Sequence, residues 1–223
     1  MSETKDRLLD AAMGYVAFDG WSEATFKAAM AEADVPEGLA RGVCPRGAVD
    51  LAIAYHRRGD AQMVARLEGA NRGEMRFRDR IAQAVRFRLE VVDDPELVRR
   101  GMTLFALPQY APDGAKLIWE TCDLIWRSLG DESDDINWYS KRATLSGVYS
   151  ATVLYWLGDS SEGHEATWAF LDRRIGDVMR IESAKAKVRE NPALMRVLKG
   201  PLALLGRVRK PENMNDMPGK WRQ

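Results

Sequence analysis

Side chains suited to covalent or acid–base chemistry are few in this chain, and they are scattered. His56 and His164, its two histidines, would each serve as a general base or a metal ligand. They fall on separate helical stretches with no second ligand at metal spacing, which favours structural or surface roles. Cys44 and Cys122 also lie far apart and match no metal pattern. The expectation is two reduced thiols in a cytoplasmic protein, with Cys122 buried on an amphipathic helix. Asp93-Asp94 and Asp134-Asp135 place paired carboxylates at helix boundaries, where they complement helix ends. Ser160-Ser161 reads as a turn cap, and there is no Gly-rich phosphate loop. These patterns predict a protein that is not an enzyme and that holds no cofactor or metal.

The other chemistry on offer is recognition. The run Gly130-Asp-Glu-Ser-Asp-Asp-Ile-Asn-Trp-Tyr-Ser-Lys-Arg142 opens with acidic and small residues. Asp131, Ser133, Asp134 or Asp135 can cap the helix that follows. Trp138, Tyr139 and Arg142 then share one helical face, since residues three and four apart are neighbours. A Trp-Tyr-Arg cluster has the composition of a binding hot spot. The same residues suit a half-buried core with a snorkelling Arg. Both readings stand at this level.

The elements that must position these groups are helices throughout. Residues 4–18 put Leu8, Leu9, Ala12, Tyr15 and Val16 on one face and stop at Asp19-Gly20. Ser22 caps a second helix with Phe26, Ala29 and Met30 inward, and Pro36 opens a short third. Longer helices follow over 48–68, 77–92, 96–107, 112–129, 135–158 and 163–182. The one over 77–92 turns Ile81, Ala84, Val85 and Leu89 inward, with Arg86 and Arg88 among the basic residues outside. Alternation of period two persists nowhere, so the fold class is all-α. A chain of 223 residues buries a sizeable core. The predicted organisation is a head over 1–60, a helical bundle over 61–182, and a basic tail over 183–223.

The first three helices and the long fourth resemble the helix-turn-helix head of TetR-type regulators, in Leu8–Ala12 and Val35-Pro-Glu-Gly38. Charge argues against DNA. Residues 1–60 carry seven basic and ten acidic side chains, net −3, and the short third helix offers Arg41 beside Glu37. Phosphate neutralisation dominates DNA affinity, so no nucleic-acid partner is expected.

Residues 183–210 hold eight basic side chains against Glu190 alone, net +7. Ala184–Glu190 reads as a polar tether. Beyond it Leu194, Val197, Leu198, Leu202 and Leu205 recur at helical spacing, with Lys199, Arg207 and Arg209 around them. Such a basic amphipathic helix suits an anionic membrane surface. A helix docked on the same protein or on a dimer mate is the alternative. No run approaches the roughly 18 apolar residues of a membrane span.

The chain resembles the coenzyme Q (ubiquinone) biosynthesis accessory "protein nine" family. The resemblance rests on Leu107-Pro108, Trp126, Gly130-Asp131, Asn137-Trp138-Tyr139, Arg142-Ala143, Tyr149, Asp159-Ser160-Ser161 and Thr167-Trp168-Ala169-Phe170-Leu171. It implies a TetR-like fold and a homodimer that binds an isoprenoid lipid or ubiquinone precursor. It further implies presentation of that lipid to a demethoxyubiquinone hydroxylase or equivalent. Large apolar residues of the middle helices, Phe87, Leu104, Phe105, Ile118, Trp126, Tyr149 and Trp156, are the pocket candidates. Trp138, Tyr139 and Arg142, flanked by Ile125, Asp135 and Asn137, are the partner contacts the resemblance implies. The final two helices are the expected dimer interface, with an apolar stripe of Trp168, Leu171, Ile175 and Val178. The expected location is cytoplasmic, peripheral on the inner face of a bacterial membrane. The alternative function is a TetR-type transcriptional regulator with a small apolar effector.

Overall fold

The computed structural model describes residues 3–70 and 75–190, with side chains described as far as residue 180. Its helices are α1 (Glu3–Asp19), α2 (Glu23–Glu32), α3 (Glu37–Val43), α4 (Ala48–Gly69) and α5 (Phe77–Glu90). They continue with α6 (Pro95–Phe105), α7 (Ala111–Ser128), α8 (Ile136–Leu157) and α9 (Glu165–Glu190), the last entered through a 3-10 turn, Glu162–His164. Local chemistry explains the boundaries. Ser22 accepts from the Thr25 amide at the start of α2, and Asp94 does so from Glu96 ahead of α6. Pro95 sits in the first turn of α6, where its missing N–H costs nothing. At Gly20, φ is +66°, a left-handed position that lets α1 end and the chain turn into Ser22.

Among the described residues two main hydrophobic cores form, beside a small third cluster of Val49, Ile53 and Leu117. The first joins Leu8, Leu9, Ala12 and Val16 of α1 to Phe26, Ala40 and the N-terminal half of α4, and it includes Cys44. The second joins Met63 and Leu67 of α4 to Val85, Cys122, Ile125, Tyr149, Trp156 and Leu171. The amphipathic helix α4 thus runs through both, and Leu97 of α6 is buried in the first. All-helical packing with these element positions matches the expected fold class. Both cysteines are free and buried. Burial pushes the Cys122 thiol up to about 12, so it is inert at neutral pH.

Three expectations are corrected here. First, α9 continues without a break to Glu190, where polar composition predicts a tether; propensity for helix is high in that Ala-, Lys- and Glu-containing run. Second, Leu171 and Ile175 pack into the second core, with Trp168 and Val178 against it, so this stripe serves the protomer's own interior. Third, Arg88 is buried rather than outside. The amphipathic helix proposed over residues 191–208 lies outside the described residues.

Gly59 is required by its neighbour. A Cβ there would stand 2.7 Å from Arg88 Nη1 and 2.8 Å from its Cζ, inside van der Waals contact. Arg88 is held by other bonds and cannot swing away. Gly59→Ala is therefore expected to destabilise by about 1–3 kcal/mol despite its better helix propensity. A urea melt of the variant checks this.

Candidate functional site: a cavity between two cores

Where α4 passes from one core to the other, the helices do not close. A cavity of about 390 Å³ opens between α4, α5, α6, α7 and α8. Its wall is mainly apolar: Trp21, Leu97, Phe105, Ile118, Val153 and their neighbours. Pockets of this character and size hold small organic ligands. Trp21 is fixed by donating its indole N–H to the Leu97 carbonyl at 3.2 Å and by a tilted contact with Tyr55, ring centroids 5.6 Å apart.

On one side of the wall His56 and Arg88 belong to a polar network that continues behind it. Arg88, 4% exposed, donates from Nε to Asp60 Oδ1 at 2.7 Å and from Nη2 to the His56 carbonyl at 3.0 Å. Thr121 Oγ1 lies 2.9 Å from the same carboxylate oxygen and 2.8 Å from His56 Nε2. With His56 protonated at Nε2, one relay of donors runs from the imidazole through the hydroxyl to Asp60. Burial raises the Asp60 carboxyl above its ordinary value, while Arg88 and Thr121 pull it down. Burial, aided by the nearby Arg88 charge, holds His56 well below an ordinary imidazole and so neutral. The net charge of this network is zero.

His56 gives the fold a pH dependence whose sign is fixed. In the unfolded chain the ring takes up a proton near pH 6.5; in the folded protein it resists doing so. Below about pH 6.5 the unfolded state binds more protons, so stability falls as pH falls, by up to about 1.4 kcal/mol per pH unit. His56→Gln is expected to flatten that slope in urea melts run at pH 7.5, 6.5 and 5.5.

A second buried network organises the aromatic segment. Arg142, 1% exposed, donates from Nε to Asp123 at 2.7 Å and from Nη1 to Asp131 at 3.0 Å and to the Trp138 carbonyl at 3.0 Å. Its guanidinium sits 4.2 Å from the centroid of the Trp138 ring. Burial works to raise the Asp131 carboxyl, but bonds from Lys141, Ser133 and Arg142 outweigh it and hold it near 2. Asp135 is the α8 N-cap, accepting from the Asn137 amide at 2.9 Å. Asp159 accepts from the Ser161 and Thr167 amides at 2.8 and 2.9 Å and from the Thr167 hydroxyl; these bonds, led by the hydroxyl, keep its carboxyl far below the usual range. The Asp-Ser-Ser and Thr-Trp segments thus brace the turn into α9.

The placement of the predicted residues is mixed. Phe105, Ile118 and Tyr149 line the cavity. Trp126 and Trp156 pack into the second core, Leu104 packs against the first, and Phe87 borders a separate cleft with Trp168. These four are corrected as pocket residues, because their helix faces turn away from the opening. Ile125, Trp138 and Arg142 are corrected as surface contacts, since all three are buried. Tyr139 stays half-buried, edge-on to Trp138 at 4.9 Å and near Trp119 at 6.3 Å. Tyr55, His56, Arg88 and Val153 line the cavity without having been singled out for it. Arg88 had a signal: it lies seven residues after Ile81 and four after Ala84, on the buried stripe of α5.

The fold defines a class first. A TetR transcriptional regulator from Nitrosomonas europaea superposes with a TM-score of 0.64 over 78% of this chain and 97% of that one, at 18% identity. That likeness establishes a TetR-like all-helical fold. Residues 111–182, the span from α7 into α9, match the COQ9 family model. The chain is 32% identical to the Drosophila melanogaster protein named ubiquinone biosynthesis protein COQ9, mitochondrial, over 79% of its length. It is 29% identical to the Xenopus tropicalis protein of the same name over 83% of its length. It spans 55% and 61% of the lengths of those relatives. The resemblance to the "protein nine" family is borne out. Both relatives are named mitochondrial, which overturns the expected location on the inner face of a bacterial membrane.

Proposed function

We propose that this protein is a non-enzymatic, lipid-binding accessory factor in ubiquinone biosynthesis. It takes up an isoprenoid lipid or ubiquinone precursor and presents it to a hydroxylase. The observation that carries this reading is the apolar cavity between α4 and α8 in a chain that resembles COQ9 proteins. Apolar surface withdrawn from water there gains about 25 cal/mol per Å². Arg41, the basic residue of α3, pairs with Glu23 and Glu37, which adds to the case against DNA.

The partner surface in this proposal centres on Tyr139, with Trp119, Asp135 and Asn137 around it. Dimerisation would use the outer faces of α8 and α9, where Tyr155 stacks on Phe170 at 4.6 Å beside exposed Leu154. In this organisation the head over 1–60 supports the bundle over 61–182, and residues 183–223 form the basic tail.

The test is mass spectrometry of lipids that co-purify with the full chain. Isoprenoid quinones or precursors are expected in the wild type and largely lost in Gly101→Leu. A Cβ at Gly101, on the cavity wall, meets the Trp21 indole nitrogen at an ordinary 3.7 Å, so the larger side chain fills the opening. Isoprenoid retained equally by both proteins would remove the cavity from the proposal.

A further inference from the structure

The cavity is not uniformly greasy, and its polar atoms are not all used. Tyr149 is 4% exposed and lines the cavity from α8, yet its hydroxyl has no hydrogen-bond partner among the described residues. The Tyr55 hydroxyl, on α4, likewise has none among them. Neither hydroxyl is sealed off: Tyr55 is half-buried, and both side chains line a cavity that a ligand can enter. Two phenol hydroxyls on the wall of one opening, beside the bound guanidinium of Arg88, are free to donate to a ligand that enters it.

We propose that the cavity binds the oxygenated head of its ligand as well as chain, with Tyr55 and Tyr149 donating to ring carbonyl or ether oxygens of a neutral quinone-type lipid. This rests on the lipid-binding reading above and adds which end of the ligand enters. Burial pushes both phenols up to about 12, so they remain protonated donors. Charge selects the head. Arg88 is already neutralised by Asp60 and His56 is uncharged, so a carboxylate or phosphate would enter without a counter-charge. A neutral acceptor such as a quinone oxygen meets no such penalty. Space agrees: about 390 Å³ suits a substituted ring and the start of a chain rather than a long polyprenyl tail. The remainder of the tail leaves through the opening.

The experiment uses delipidated full-length protein and two probes of equal chain length, a decyl benzoquinone carrying methoxy groups and decylbenzene. Quenching of tryptophan fluorescence reports binding, since Trp21 lines the cavity; decylbenzene is read by competition. The quinone is expected to bind at least tenfold more tightly than decylbenzene. Tyr55→Phe and Tyr149→Phe should each weaken the quinone about five- to tenfold and leave decylbenzene unchanged. Each is checked by thermal melting, and either alone suffices. Equal affinity for both probes, untouched by the two substitutions, would overturn the head-in orientation while leaving lipid binding intact. Absence of binding by either probe would overturn both this inference and the reading beneath it. A carboxylate-headed fatty acid that outcompetes the quinone would also overturn it.

Discussion

Arg142→Met is expected to lower the unfolding free energy by about 3–5 kcal/mol, the usual cost of leaving buried charge without its partner. Two carboxylates lose their counter-ion together: Asp123 on α7 and Asp131 in the loop before α8, both with side chains under 10% exposed. The Trp138 carbonyl loses a donor, and the Trp138 ring loses the cation above it. Lys141 and Arg127 remain on the two carboxylates and soften the effect without replacing the bridge between them. For a chain of this size the melting temperature should drop by roughly 10 °C. Scanning calorimetry reads the drop, and Arg142→Lys should fall between the wild type and Arg142→Met because one ammonium cannot span both acids. A loss below about 1 kcal/mol would mean that the network carries little of the α7–α8 packing. Tyr139→Lys is the contrasting substitution. It should leave the melt close to wild type while abolishing hydroxylase binding in the proposal above.

Arg88→Met has an effect of comparable size at the cavity wall, about 3–5 kcal/mol, and a distinct signature. Asp60, 2% exposed, would keep Thr121 and lose the guanidinium 2.7 Å away. Its carboxyl, already raised by burial, would rise further once the opposing cation is gone. The destabilisation relative to wild type should therefore shrink as pH falls from 7 toward 5, because a protonated Asp60 no longer bears a buried charge. Replacing both partners, Asp60→Leu with Arg88→Met, should recover most of the loss, as apolar substitution of a whole buried pair often does. Urea melts of the two single variants and the double at pH 7 and pH 5 form the cycle that measures the coupling. Equal stability of Arg88→Met and the double variant at pH 7 would show that the unpaired charge is not the cause.

Much of the architecture was legible from local pattern. The all-helical class, the head resembling TetR regulators, Ser22 as a cap and Asp135 among the capping candidates all follow from period, propensity and end chemistry, which act over a few residues. Cavity and surface were less legible. Phe105, Ile118 and Tyr149 line the opening, whereas Trp126 and Trp156, also large aromatic side chains, face the other way. Composition reports how much apolar surface a helix has; only helix–helix packing decides which part meets a neighbour and which meets a void. Arg142 shows the same divide for charge. Its sequence neighbours, Trp138 and Tyr139, are compatible with a binding surface. Its burial depends on Asp123 and Asp131, which are 19 and 11 residues away. Local sequence therefore determined which helices form and most of where they end, the C-terminal reach of α9 excepted. The tertiary structure decided which polar side chains are interior braces and which, like Tyr55 and Tyr149, line a cavity, because burial and pairing are properties of the assembled helices rather than of any one of them.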